Sequence, residues 1–478
     1  MVEPAAALPA GFSRVLGHIR ASRERYVEVL RDLVRIPSVT MDIPQCHVAA
    51  QYVADAMEAA GLTVRADPIP GAGPTLFGRA PSDPRGPAVI GYAHYDVKPA
   101  GDRSAWTYDP WGGEVHDGRM YGRGVVDNKS GSLAFVFAAA ACLAAEALPV
   151  DLRLVIEGEE ETGSAHLEEW ALAHAADLDG TEGIFCLDGA AEASTLLPRV
   201  DLFGRGILYV ELSVETAGED VHSSRAVLVH DAAWRLIEAL RTIKDVGTDR
   251  VIIPGWMDDL AALTEDDWEY FRDKARDLDP EALRRQHGLR RETFPGGRTG
   301  EDLIRALYVE PTCTICGLWA GETTPGVLMT AVPRRASAKL DFRCPPRLDA
   351  GRQIQKLRSH LDRSGFEDVA IRVLSARGQT WHTSHTATLV QAIRQAGADV
   401  FGQGWVAGRR GPTAEGVFAQ HLGIPPVLTG FANPDCRIHA PDENLDLEYY
   451  VKGIEYTAAI FFRLAEARVG RTRKGGDR

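Results

Sequence analysis

The sequence is poor in cysteine, in positive charge and in long apolar runs. Its 7 cysteines are odd in number and scattered over 478 residues, which excludes the disulfide framework of a small secreted domain and fits a reducing compartment. Cys313 and Cys316 have the CxxC spacing, but no second CxxC completes a zinc knuckle, and the pair reads as part of a strand. Against 67 acidic residues stand 53 basic ones, a net charge of -14. Such a field repels phosphate backbones and anionic membranes, so no nucleic-acid partner is expected. The longest apolar run, Leu133 to Ala145, is about 13 residues, short of the roughly 20 that a bilayer-spanning helix needs. No membrane segment is expected. Glu3 and then Arg14, Arg20, Arg23 and Arg25 interrupt any secretory core near the N-terminus, and the reading is of an unprocessed cytoplasmic protein.

What remains is an ordinary globular composition, 45% hydrophobic and 25% charged, with chain enough for roughly two to four domains or for one large domain with an insertion. Apolar spacing predicts a helix over Val15 to Val34, stopped by Ile36-Pro37, and a second over His47 to Ala60, closed by Gly61. Short apolar strands at Ala88 to Ala93 and Leu152 to Glu157 flank the Leu133 helix, an alternation that indicates an α/β domain with a largely parallel sheet. From Ile207 the texture changes. Leu208 to Val214 alternates strictly, a helix is expected over Asp231 to Ile243, and a polar helical insertion spans Asp258 to Arg298. Strands are then expected at Pro311 to Leu318, Val327 to Met329, Ala336 to Phe342 and Val369 to Val373, with a charged helix at Ala350 to Ser364. This is the pattern of a separate α+β module. After about Gln379 helix, strand and helix return, and Arg471 to Arg478 reads as a solvated tail.

Five segments concentrate metal-type ligands where an apolar strand meets a polar, glycine-rich turn, the place where open α/β sheets collect ligands. His94 and Asp96 follow the first strand, spaced so that a carboxylate can take the second imidazole N–H; the pair can equally be structural. Asp127 directly precedes the apolar helix, where it is either a ligand or an N-cap. Glu159, Glu160 and Glu161 are adjacent carboxylates in a turn bounded by Gly158 and Gly163. Their repulsion calls for a cation unless the loop is simply solvated. Asp188 ends a fourth apolar stretch, and His439 opens a His-Ala-Pro-Asp-Glu-Asn turn. Together they offer the ligand menu of one or two Zn²⁺ ions bridged by a carboxylate.

In wording and order, HYDVKP, YGRGVVDNKSG, EGEEETGS and HAPDEN resemble the M20 family of metallopeptidases, which contains carnosine dipeptidases, succinyl-diaminopimelate desuccinylases, aminoacylases and glutamate carboxypeptidases. The resemblance runs along nearly the whole chain. It implies an α/β catalytic domain, with a mixed, mostly parallel sheet and helices on both faces, in two parts (residues 1–205 and 378–478). An inserted α+β lid and dimerisation domain (206–377) separates them. It implies two Zn²⁺ per subunit, with Mn²⁺ or Co²⁺ as substitutes: Asp127 bridges, His94 and Asp188 hold one ion, and Glu161 and His439 hold the other. Glu160 becomes the general base acting on the metal-bridging water, Asp96 stands behind His94, and Asp127-Asn128 is expected as a cis peptide. His222 is implied to reach across a homodimer interface as oxyanion donor, while Arg343 anchors the substrate carboxylate with Thr330 beside it.

The EGEEETGS loop and the long insert resemble the dipeptidase branch most, which implies cleavage of small peptides with a free C-terminal carboxylate. Two segments depart from it. Ala376 stands where that branch has a substrate-facing His, and Arg409-Arg410-Gly411-Pro412-Thr413 replaces Arg-Glu-Gly-Gly-Ser. Arg410 would repel an α-ammonium and favour an acyl chain bearing a carboxylate, so Arg410 and Thr413 join the substrate-contact candidates and an N-acyl or N-carbamoyl amino acid amidohydrolase is the alternative. His382 and His385 are candidates to replace the lost His. A non-catalytic binding protein would be expected to have lost a ligand or the base, and none of these positions is lost.

Overall fold

The protein, seen in a computed structural model, is described for residues 11–475 except 82–85, 193–194, 259, 261–262, 277, 287, 345–347, 378–379, 403–405 and 411–412; of residues 286, 377, 406–410 and 469–475 only the backbone is described. It is a mixed α/β chain of two compact units. The first comprises Met1–Leu202, Thr383–Gly408 and Ala414–Arg478, and the second Phe203–His382 and Arg409–Thr413.

In the first unit the strands run in the order Thr63–Asp67, Gly73–Arg79, Asp151–Gly158, Ala88–His94, Thr181–Leu187, Pro426–Thr429 and Arg199–Gly204. Ala88–His94 pairs in parallel with both Asp151–Gly158 and Thr181–Leu187, and Pro426–Thr429 pairs in parallel with Thr181–Leu187. The outer pairings are antiparallel. Parallel neighbours put carboxyl ends side by side, so His94 lies opposite Glu157 and the strand that leads to Asp188 lies alongside. Ala88–His94 is buried along its whole length, as a central strand covered on both faces must be. The helix Gly131–Ala144 is apolar all round and sits in the core. The closing helix, Leu447–Gly475, packs on Thr388–Phe401, Phe12–Ala21 and Gly131–Ala144.

In the second unit an antiparallel sheet runs Thr312–Ala320, Arg335–Cys344, Gly206–Glu215, Ala370–Arg377. Strict alternation delivers Leu208, Val210, Leu212 and Val214 to one face, where they pack with Leu236, Trp256, Leu340, Phe342 and Leu357 in a single core. The helices Ala232–Ile243 and Ala350–Arg363 supply the other half of it.

Several expected boundaries shift. The helix expected over Val15 to Val34 is two, Phe12–Ala21 and Arg23–Val34, broken at Ser22 (φ -97, ψ 4), whose N–H is shared between the His18 and Ile19 carbonyls. Val327 to Met329 is not a strand. Val327 N–H closes a turn on Thr324 with Gly326 at φ 82, and the strand comes later, at Ala331–Val332. Helix Gly300–Val309 follows the insertion unforeseen, and helical backbone continues through Gly475, into the expected tail. Cys313 and Cys316 lie on the strand Thr312–Ala320, the first buried and the second exposed. No helix among the described residues is long and apolar enough to cross a membrane.

The C-terminal helix is tied to the core by a buried ion pair. Arg463 Nε lies 2.7 Å from Asp399 Oδ2, with both side chains 4% exposed. Removing one partner strands a charge in the interior, so Arg463→Met should cost about 3–5 kcal/mol in urea unfolding; a loss below about 1 kcal/mol would show that the pair carries little of the helix's attachment.

Candidate metal centre

The parallel carboxyl ends carry the chemistry-bearing side chains into one place. His94, Asp127 and Asp188 form one group, and Asp127, Glu161 and His439 a second; within each, ligand atoms lie within 4.8 Å of one another. Asp127 belongs to both. Its Oδ1 is 3.0 Å from His94 Nε2 and its Oδ2 2.9 Å from His439 Nε2, so each oxygen addresses a different imidazole. Asp127 does not cap the following helix, from which Asn128–Ser130 separate it. The Asp127-Asn128 peptide is cis.

Each side chain is held from behind. His94 Nδ1 donates to the Asp96 main-chain oxygen at 3.0 Å, with the Asp96 carboxylate at 3.4 Å. That carboxylate instead accepts the N–H of Glu160 at 3.2 Å and of Glu161 at 3.1 Å, so Asp96 positions the acidic turn as well as the imidazole. Asn128 Nδ2 donates to Leu187 O, tying the Asp127 turn to the strand that leads to Asp188, and Ser132 Oγ donates to His94 O. Glu443, fully buried, accepts the N–H groups of Gly124, Val126 and Asp127 and pairs with Arg123 at 2.5 Å. Lys129, also buried, donates to the Leu33 and Ile36 carbonyls. On the loop that carries His439, Asp442 accepts from Thr107 N and Oγ1. His439 and Asp442 sit at φ 60 and φ 59, left-handed backbone that costs a non-glycine residue about 1–3 kcal/mol and collects at functional sites. Arg123, Lys129 and Glu443 lie in or beside the quoted motifs but drew no role from sequence, because burial is invisible there.

Electrostatics distinguishes the cluster from a solvated acidic loop. The Asp127 and Glu161 carboxylates beside it push the His439 imidazole up to about 10. Burial opposes protonation of His94, yet Asp127 and Asp96 carry it well above its usual range. Burial would raise Asp127, but His439 and His94 outweigh it and hold the carboxyl low. The carboxylates thus demand positive charge, and binding a divalent cation would exchange those protons for the ion. His94 Nε2 and Glu161 Oε1 are buried and make no hydrogen bond, an arrangement costly for polar atoms unless something else coordinates them. The donor set of imidazole and carboxylate fits a pair of Zn²⁺-type ions. Glu160 Oε2 is 4.0 Å from His94 Nε2, and removal from water, with Asp127, Asp188 and Asp96 nearby, pushes its carboxyl well above its usual range against the pull of His94.

The substrate candidates His222, Thr330, Arg343, Arg410 and Thr413 belong to the second unit. His222 is exposed on Val221–His222, which pairs with Ala331–Val332, and Ser223 N–H donates to Thr330 O, so His222 and Thr330 are neighbours. His222 Nδ1 is engaged by Ser224. Arg343 lies on Arg335–Cys344 with its Nε 3.1 Å from Asp341. Thr413 accepts from Trp381 Nε1 at 3.2 Å. Arg410 is on the strand Val406–Arg410, and its side chain lies outside the described residues. His382 is committed: its Nε2 is 2.8 Å from the buried Asp267 and its ring stacks on Phe203 at 4.6 Å. His385 offers its main-chain oxygen to Gln391.

Beneath the acidic turn, Glu157 accepts from the Tyr92 hydroxyl and from Ser164 Oγ, and burial, opposed by those two hydrogen bonds, pushes its carboxyl up to about 8 from an ordinary 4.5. The folded chain therefore holds this proton more tightly than the unfolded one. The stability it contributes is present below pH 4.5 and is lost as pH rises through about 8. Glu157→Gln, which cannot titrate, should remain stable over that interval where the wild type weakens, as urea unfolding at successive pH values would read; parallel pH profiles would refute the assignment.

Known proteins place this geometry. The family model for peptidase family M20/M25/M40 matches residues 90–463. The chain is 25% identical over 484 residues to the Beta-Ala-His dipeptidase of Homo sapiens, spanning 96% of this chain and 94% of that protein. It is 24% identical over 473 residues to the Cys-Gly metallodipeptidase dug1 of Schizosaccharomyces pombe, spanning 94% and 97%. The crystal structure of the M20 family metallo-carboxypeptidase Sso-CP2 from Sulfolobus solfataricus matches with a TM-score of 0.76 at 29% identity, over 92% of this chain and 99% of that one. With two residue groups sharing one aspartate and a family match running over most of its length, the chain belongs to peptidase family M20/M25/M40 and is a metallopeptidase.

Proposed function

We propose that the protein is a dipeptidase-like hydrolase that cleaves the amide bond of a small peptide with a free C-terminal carboxylate, using two divalent cations, Zn²⁺ first and Mn²⁺ or Co²⁺ as alternatives. The observation that carries this is Asp127 standing between two imidazoles, with Glu160 beside the cluster. His94 and Asp188 would hold one ion, Glu161 and His439 the other, and Asp127 both. When bound, the ions supply Lewis acidity to the scissile carbonyl and acidify water. Glu160, one residue from Glu161 and fixed through its own N–H by Asp96, takes the proton from the attacking water and returns it to the leaving amine. Burial raises its carboxyl above the usual range, the direction that makes a carboxylate a stronger proton acceptor. Arg343 anchors the substrate carboxylate, with Thr330, Thr413 and Arg410 as further contacts. The relatives that span nearly the full chain are named as dipeptidases, and the N-acyl alternative is not favoured.

In this reading residues 206–377 serve as lid and dimerisation domain, and His222 acts in the site of a second copy. Support comes from exposed apolar side chains around it, Val227 at 94% and Leu328 at 96%, a kind of patch that marks association surfaces. The seven free cysteines suit the cytoplasm.

Removing metal with a chelator should abolish dipeptide turnover, and added Zn²⁺, Mn²⁺ or Co²⁺ should restore it. Glu160→Ala should lower kcat at least about a hundredfold with both metals retained; near-normal turnover would remove Glu160 from its role. The assignment of His222 has its own test. Glu160→Ala and His222→Ala proteins, each inactive, are mixed and allowed to exchange subunits. Half of the dimers become heterodimers with one intact site, giving about a quarter of wild-type turnover. No recovery on mixing would place His222 outside the partner's site.

A further inference from the structure

Lys98, the lysine of HYDVKP, has no place in the reading above, yet it touches the cluster. Its Nζ lies 3.1 Å from Glu161 Oε2 and also donates to the Glu161 main-chain oxygen. The other carboxylate oxygen, Oε1, is buried without a hydrogen bond and stands 3.3 Å from His439 Nε2. The two oxygens of one carboxylate are therefore not equivalent: an ammonium holds one and the other faces the cluster. An ammonium has donors only, so it cannot join a metal's ligand set, and its positive charge opposes a cation placed nearby. The two residue groups also differ in access to water, since His439 is 47% exposed at its side chain and His94 1%.

We infer that Lys98 tunes the second metal position, restricting Glu161 to a single-oxygen ligand and making the Asp127–Glu161–His439 site the weaker and more exchangeable of the two. This rests on the two-metal reading given above. Lys98 is a positioning residue: it acts on the ion only through Glu161 and its own charge. Its consequence is a hydrolase whose first ion stays while the second follows the divalent cation supply.

The test uses the full-length protein stripped of metal and titrated with Co²⁺, whose absorption reports each site as it fills, and with Zn²⁺ against a competing chelator. Wild type should fill in two steps. Lys98→Met removes the charge, and Lys98→Gln removes it while keeping a donor for Glu161; in both, with the like-charge repulsion gone, the second step should tighten about tenfold or more, and the first should not move. If the second affinity is unchanged or weaker in both variants while their circular dichroism matches wild type, Lys98 does not act through its charge. If wild type takes up no second ion at all, it is the two-metal reading that fails.

Discussion

Electrostatic repulsion is the constraint on which the site is built. Asp127, Asp188, Glu160 and Glu161 gather around His94 and His439 in a partly dry interior, and such a gathering is stable only when positive charge enters it. Protons on the imidazoles answer part of that demand, and divalent cations answer it more fully. The scaffold around the cluster exists to keep these groups from moving apart. Asp96 clasps two consecutive N–H groups of the acidic turn, and Glu443 clasps three around Asp127 while Arg123 neutralises it.

The same logic explains the division of labour within the first unit. Strands placed side by side in parallel end together, so segments far apart in sequence reach one edge without long loops. Rigid elements hold His94 and the strand ending before Asp188, whereas the Glu160 turn and the His439 loop are pinned by side-chain to backbone hydrogen bonds. Rate enhancement by positioning depends on such supports, since a displacement of about 1 Å can cost about a hundredfold.

Much of this was legible before any coordinates. The period-two alternation of Leu208 to Val214 announces a one-sided sheet, and it buries the four residues it should. The ligand-type residues stand out because each follows an apolar run with a polar turn. What sequence cannot convey is choice among equal partners. Nothing in His-x-Asp says that the imidazole will use the main-chain oxygen of Asp96 and free its carboxylate for Glu160 and Glu161. His382 reads as a candidate substrate contact, and sequence does not show that its imidazole faces the buried Asp267 and stacks on Phe203. Ser22 breaks a regular helical pattern because two carbonyls compete for one N–H, and Pro325-Gly326 defeats the apolar run after it by turning the chain.

His439 is separated from the other ligand-type residues, His94 to Asp188, by the long segment Phe203–His382 of the second unit. A chain that stops short of His439 therefore keeps the His94, Asp127 and Asp188 group whole and lacks only the imidazole of the other. A break in the backbone anywhere between Asp188 and His439 would thus put the two imidazoles of the cluster on separate fragments.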